Sequence, residues 1–88
     1  MSKPLVSVVI PTFNSEETIE LCLRSIKAQT YQHIETIIVD RYSWDKTIEK
    51  AKKFNVKILL RGPERSAQKN WGAANANAPF LLFIDSDM

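Results

Sequence analysis

Four short apolar runs separated by stretches of helical periodicity constrain this chain more than any other feature. Leu5-Val-Ser-Val-Val-Ile10, halted by Pro11, Ile34-Glu-Thr-Ile-Ile-Val-Asp40, Val56-Lys-Ile-Leu-Leu60 and Phe80-Leu-Leu-Phe-Ile84 have the length and apolar or β-branched content of buried strands. Between the first two, Ile19, Cys22, Leu23 and Ile26 recur at helical spacing. Asn14 or Ser15 would cap that helix, Glu16 and Glu17 suit its positive end, and it should close near Gln29-Thr30. A second helix would be capped by Ser43, with Asp45 in its first turn and Ile48, Ala51 and Phe54 facing inward. After the turn Arg61-Gly-Pro63, a third from Arg65 to Asn77 would bury Ala67, Trp71 and Ala74, and Pro79 would end it before the last strand.

The resulting order, βαβαβαβ, requires parallel pairing with right-handed crossovers, hence an open Rossmann-like α/β sheet with helices on both faces. The expected strand order is 3-2-1-4, in one domain spanning residues 1–88. In such sheets ligands bind beyond the carboxyl ends of the strands. Three polar clusters fall there: Pro11-Thr-Phe-Asn14, Asp40, and Asp85-Ser-Asp87.

Composition removes several alternatives. A net charge of +2 is too small to argue for nucleic acid or an anionic membrane surface. No run approaches the roughly 18 apolar residues of a membrane span, and the N-terminal apolar stretch, broken by Pro4 and Pro11, is too short for a signal peptide. The lone Cys22 has no internal disulfide partner and suits a reducing compartment. A soluble, cytoplasmic chain is expected. Gly62 and Gly72 are the only glycines, which excludes a glycine-rich dinucleotide turn and a P-loop alike.

The strand-end clusters carry a definite chemistry. Two carboxylates two residues apart, Asp85 and Asp87, repel unless a divalent cation balances them, and a cation so held can carry a diphosphate. Phe13 offers an aromatic face, Asp40 a carboxylate that could accept an N–H from a base, and Arg65 with Lys69 a basic helix start. Together these parts suit a nucleoside diphosphate.

The same residues resemble the family 2 glycosyltransferases of GT-A fold. The resemblance is carried by Val8-Val-Ile-Pro-Thr-Phe-Asn14, Ser25-Ile-Lys-Ala-Gln-Thr-Tyr31, Ile38-Val-Asp40 followed by Ser43 and Asp45, Gly62-Pro-Glu-Arg-Ser-Ala-Gln-Lys-Asn70, and Phe83-Ile-Asp-Ser-Asp87. It covers the whole chain and corresponds to the nucleotide-binding N-terminal half of that family's domain. It implies that Pro11, Thr12 and Phe13 line the base, that Asp40 contacts it, and that Arg65 lies near base and phosphates. By the same resemblance Asp85 would serve ribose and metal, and Asp87 would ligate Mg²⁺ or Mn²⁺. The implied activity is hexosyl transfer from a UDP- or GDP-sugar to an acceptor.

Two departures qualify that expectation. Arg41, Tyr42 and Trp44 crowd the turn after Asp40, where small or polar residues are usual, and no counterpart of the family's later catalytic base or acceptor region is found. The chain is therefore read as an incomplete, truncated GT-A domain that is inactive alone. The rival readings are a non-catalytic, self-associating α/β fragment and, more remotely, a fragment of a haloacid-dehalogenase-type phosphatase, whose nucleophile motif also ends an apolar strand. Strand four, apolar on both faces yet at a sheet edge, would drive homo-oligomer formation. The lysines at 46, 50, 52, 53 and 57 read as a solvated face with Glu49 paired to Lys53, and His33 as a loop residue. Trp44 is expected either exposed or covering the base pocket.

Overall fold

The computed structural model describes residues 4–86. Its elements run β1 (Val6–Thr12), α1 (Ile19–Lys27), β2 (Ile34–Asp40), α2 (Thr47–Ala51), β3 (Lys57–Leu60), α3 (Arg65–Ala74) and β4 (Phe80–Phe83). The four strands form one parallel sheet in the order β3-β2-β1-β4, as the alternation of strand and helix requires. In register, Val6 faces Ile34 and Thr12 faces Asp40 across β1 and β2, while β4 pairs with only the first part of β1, from Val6↔Phe80 to Val9↔Phe83.

Side chains alternate across the sheet, so β1 and β2 feed two cores. Val8, Ile10 and Ile38 pack with Ile19, Cys22 and Leu23 of α1 and Ala51 of α2 on one face. Val9, Ile37 and Val39 build the other, beneath α3. The helix comes so close there that a Cβ on Gly72 would stand 2.4 Å from Val9 Cγ1 and 3.1 Å from Val39 Cγ2. Helices thus cover both faces of β1 and β2, which leaves the strand ends as the place where loops meet. Among the described residues, no helix is long and apolar enough to cross a membrane.

Several local expectations are corrected. β1 does not stop at Pro11 but continues to Thr12. The Thr12 carbonyl points toward β2, where it accepts the Arg41 N–H, so the missing N–H of Pro11 falls on the opposite side, facing β4 at the point where that ladder ends. α1 begins at Ile19 rather than near Asn14: Asn14 lies in the left-handed region, with φ 46°, and Ser15 carbonyl closes a turn by accepting the N–H groups of Thr18 and Ile19. On α3 the inward positions are Gln68 and Gly72, not Trp71 and Ala74. Trp71 is 38% exposed, with the Arg61 guanidinium carbon 4.7 Å from its ring centroid. Lys53 pairs with Glu20 of α1, at 3.6 Å, instead of with Glu49.

Candidate functional site

Two loops, β1–α1 and β2–α2, meet at the carboxyl end of the central strands and are laced together by side chains. The Asn14 N–H donates to Ser43 Oγ (2.7 Å), the Ser15 N–H to Thr47 Oγ1 (2.7 Å), and the Glu16 N–H to Asp45 Oδ2 (3.2 Å). In return the Trp44 N–H donates to Asn14 Oδ1 at 3.1 Å. Residues whose types suggested helix caps, Asn14 and Ser43, therefore join the loops instead, using the competition of short polar side chains for backbone groups. Burial alone would raise the Asp45 carboxyl, but hydrogen bonds from the Thr47 hydroxyl and N–H and from the Glu16 N–H lower it overall.

Beneath the loops lies a buried polar knot. Asp40 is fully buried. Its Oδ1 accepts from Thr12 Oγ1 (2.6 Å) and Ser43 Oγ (2.7 Å), and its Oδ2 from the Ser43 N–H (2.7 Å). The carboxylate faces inward and is absent from the walls of the cleft above. Beside it, Gln68 of α3 is also buried, and its amide donates to the carbonyls of Thr12 (3.0 Å) and Val39 (2.7 Å). Gln68 thus fastens α3 to the ends of β1 and β2. Among the described residues, every buried side-chain nitrogen or oxygen has a hydrogen-bond partner.

Above the knot opens a cleft of about 600 Å³, within the range of small-molecule sites. Pro11, Thr12 and Phe13 from β1 and its loop, Arg65 and Gln68 from α3, and Ser86 after β4 all line it. The expected residues 11–13 and Arg65 are thereby brought together. Arg41 and Asp45 line it too; sequence reasoning gave neither a ligand role, and for Arg41 the available signal was its position one residue past a strand-end carboxylate. Arg41 lies with its guanidinium carbon 4.6 Å from the Phe13 ring centroid. The highly exposed Trp44 meets the same ring edge-on, with centroids 5.2 Å apart.

The Asp-x-Asp motif enters from β4. The Ile84 N–H bonds to the Val9 carbonyl, extending the ladder by one residue, and Ser86 is buried with its Oγ donating to Ser15 Oγ at 3.0 Å. Asp85 Oδ1 forms a 2.7 Å ion pair with Arg65, which ties it to the cleft wall. Asp87 lies outside the described residues. Lys69 points elsewhere, its ammonium 5.7 Å from the Phe83 ring centroid. No group of three or more His, Cys, Asp or Glu gathers among the described residues.

A parallel sheet in this order, with its cleft at the strand ends and an acidic motif after β4, has the architecture of a GT-A domain, and the comparisons with known proteins agree. The family model described as Glycosyl transferase family 2 matches residues 7–88; the chain belongs to that family. It is 36% identical over 93 residues to Glycosyltransferase AglE of Haloferax volcanii, covering 96% of this chain and 31% of that protein. The crystal structure of Staphylococcus aureus TarS 1–349 in complex with UDP-GlcNAc superposes with TM-score 0.84 at 32% identity, over 94% of this chain and 26% of that one. The mannosyltransferase PcManGT of Pyrobaculum calidifontis, in complex with GDP-Man and Mn²⁺, gives 0.81 at 26% identity, over 98% and 28%. This chain thus spans about a third or less of the length of these three.

Proposed function

We propose that this chain binds a nucleoside-diphosphate sugar together with Mg²⁺ or Mn²⁺, as the donor half of a hexosyltransferase. The observation that carries the reading is the convergence on one cleft of Pro11, Thr12, Phe13, Arg65 and Ser86, with Asp85 held beside it by Arg65. The donor set suits a small hard cation. Mg²⁺ and Mn²⁺ take oxygen ligands, often one or two carboxylates completed by substrate phosphates, so Asp85 and Asp87 with a diphosphate would satisfy one, no larger acidic cluster being found among the described residues. When bound, the cation would offset charge gathering on the departing diphosphate.

The chain's own residues would supply the rest. Pro11, Thr12 and Phe13 form the wall against the nucleoside, and Asp85 serves ribose and metal. Arg65, paired with Asp85 in this structure, would offer its planar fork to the phosphates. The relatives' ligands named above, UDP-GlcNAc in one case and GDP-Man with Mn²⁺ in another, support this class of donor. Transfer to an acceptor is assigned to the whole protein, and a cytoplasmic setting accords with the buried, unpaired Cys22. Calorimetric titration with UDP and GDP, with and without Mn²⁺, should show metal-dependent binding weakened on the order of tenfold or more in Asp85→Ala. Binding indifferent to both metal and Asp85 would refute the assignment.

β4 carries a second expectation. All four of its residues, Phe80, Leu81, Leu82 and Phe83, are exposed, although parallel strands are ordinarily covered on both faces. We propose that this chain associates with a second copy through the open β4 edge, where unpaired backbone groups and apolar side chains coincide. Light scattering at micromolar concentration should report a dimer or larger species, dissociated by Leu82→Lys. A monomer throughout would contradict it.

A further inference from the structure

We propose that Arg41 is the residue that reads the nucleotide base, and that it makes the site prefer guanine to uracil. The inference rests on the nucleoside-diphosphate reading above and goes beyond it by naming the base and the group that selects it.

Adjacent residues at a strand end point to opposite sides, and here that alternation separates two roles. Asp40 turns into the protein, where Thr12 and Ser43 occupy its carboxylate. Arg41 turns into the cleft. Its backbone N–H is tied to the Thr12 carbonyl at 2.9 Å. Its stem packs against Gly62 so closely that a Cβ there would lie 2.9 Å from Arg41 Cγ. Its guanidinium lies over Phe13, whose edge is braced by Trp44. Arg41 is therefore held at three levels, backbone, stem and head, although it lies on the surface. Among the described residues no carboxylate forms an ion pair with it, the three ion pairs being Arg24–Glu20, Lys53–Glu20 and Arg65–Asp85.

A guanidinium presents N–H donors in a rigid plane and no acceptor. Guanine offers O6 and N7, two neighbouring acceptors that match this fork in a bidentate pair. Uracil sets an N–H between its two carbonyls, so a donor would face a donor and a single bond would remain. Because the guanidinium covers the Phe13 face, a base entering the cleft meets Arg41 before the aromatic ring.

The test titrates the full chain with GDP and with UDP at saturating Mn²⁺, in the parent protein, Arg41→Ala and Arg41→Lys, each checked by thermal melting. The parent should bind GDP on the order of tenfold or more tighter than UDP, the discrimination expected of one bidentate pair. Arg41→Ala should bring the two affinities together, chiefly by weakening GDP. Arg41→Lys keeps the charge and a long stem against Gly62 but loses the fork, so it should lose most of the preference while remaining folded. Equal affinities in the parent, a preference that survives in both variants, or equal weakening of both nucleotides would overturn the role of Arg41 and leave nucleotide binding standing. Failure of the parent to bind either nucleotide would overturn the underlying reading as well.

Discussion

Replacing Asp40 with alanine is expected to be among the most damaging single changes in this chain, through the hydrogen bonds that it accepts inside the protein. Its carboxylate accepts three hydrogen bonds at 2.6–2.7 Å from Thr12 and Ser43 in a fully buried position. Hydrogen bonds to a charged group contribute about 1.5–3 kcal/mol each, and their loss strands buried donors. Partial relaxation of the loops would recover some of that sum, leaving a net cost of about 3 kcal/mol or more. A small domain holds only about 5–15 kcal/mol in total. Asp40→Asn should be much milder, because the Thr12 and Ser43 hydroxyls can rotate to accept from the new amide while its oxygen still receives the Ser43 N–H. Urea unfolding of the two variants distinguishes the cases. A loss below about 1 kcal/mol in Asp40→Ala would mean that the knot does not hold the β1 and β2 ends together.

The second large effect is expected at Gly72, through packing rather than polarity. A Cβ there would overlap Val9 Cγ1 at 2.4 Å and crowd Val39 Cγ2. Both valines are fully buried on the central strands, so neither can swing away. Gly72→Ala would ordinarily stabilise a helix by about 1 kcal/mol; here α3 must lift from the sheet, at an overpacking cost of about 1–3 kcal/mol or more. The net sign should be destabilising, and Gly72→Val should be worse. Lifting α3 also displaces Arg65 and Gln68, so affinity for a nucleotide should fall along with the melting temperature. A Gly72→Ala protein more stable than the parent would show that the helix can stand further from the sheet than it does.

These two positions also show which parts of the molecule were legible beforehand and which were not. The β-branched runs from Leu5 and Ile34 and the helical spacing of Ile19, Cys22 and Leu23 follow from periodicity, which burial enforces at every turn of the chain. They led to the observed strand order and to a cleft at the strand ends. The errors arose where periodicity gives way to a specific contact. On α3, size misled: Trp71 looked like the buried position by its apolar bulk, but a helix lying this close to the sheet needs its smallest residue inward, and the phase is set by Gly72. Gln68 carries no such signal, because a buried amide is costly unless something accepts its protons, and the acceptors, two strand-end carbonyls, exist only in the folded sheet. At the end of β2, Asp40 is buried and Arg41 lines the cleft, an alternation that only the folded strand displays. Asn14 and Ser43 read as helix caps because the side-chain oxygens that cap helices also bridge loops.

Whether a divalent cation and a nucleotide share the cleft between Phe13, Arg65 and Asp85 can be read from Mn²⁺-induced line broadening in the ¹⁵N-labelled chain with GDP present. Selective broadening is expected at the amides of Phe13, Ser15, Asp85 and Ser86, abolished in Asp85→Ala and absent when Mg²⁺ replaces Mn²⁺. Broadening centred instead on the opposite end of the sheet, around Asn55 and Val56, or spread evenly over the protein, would contradict it.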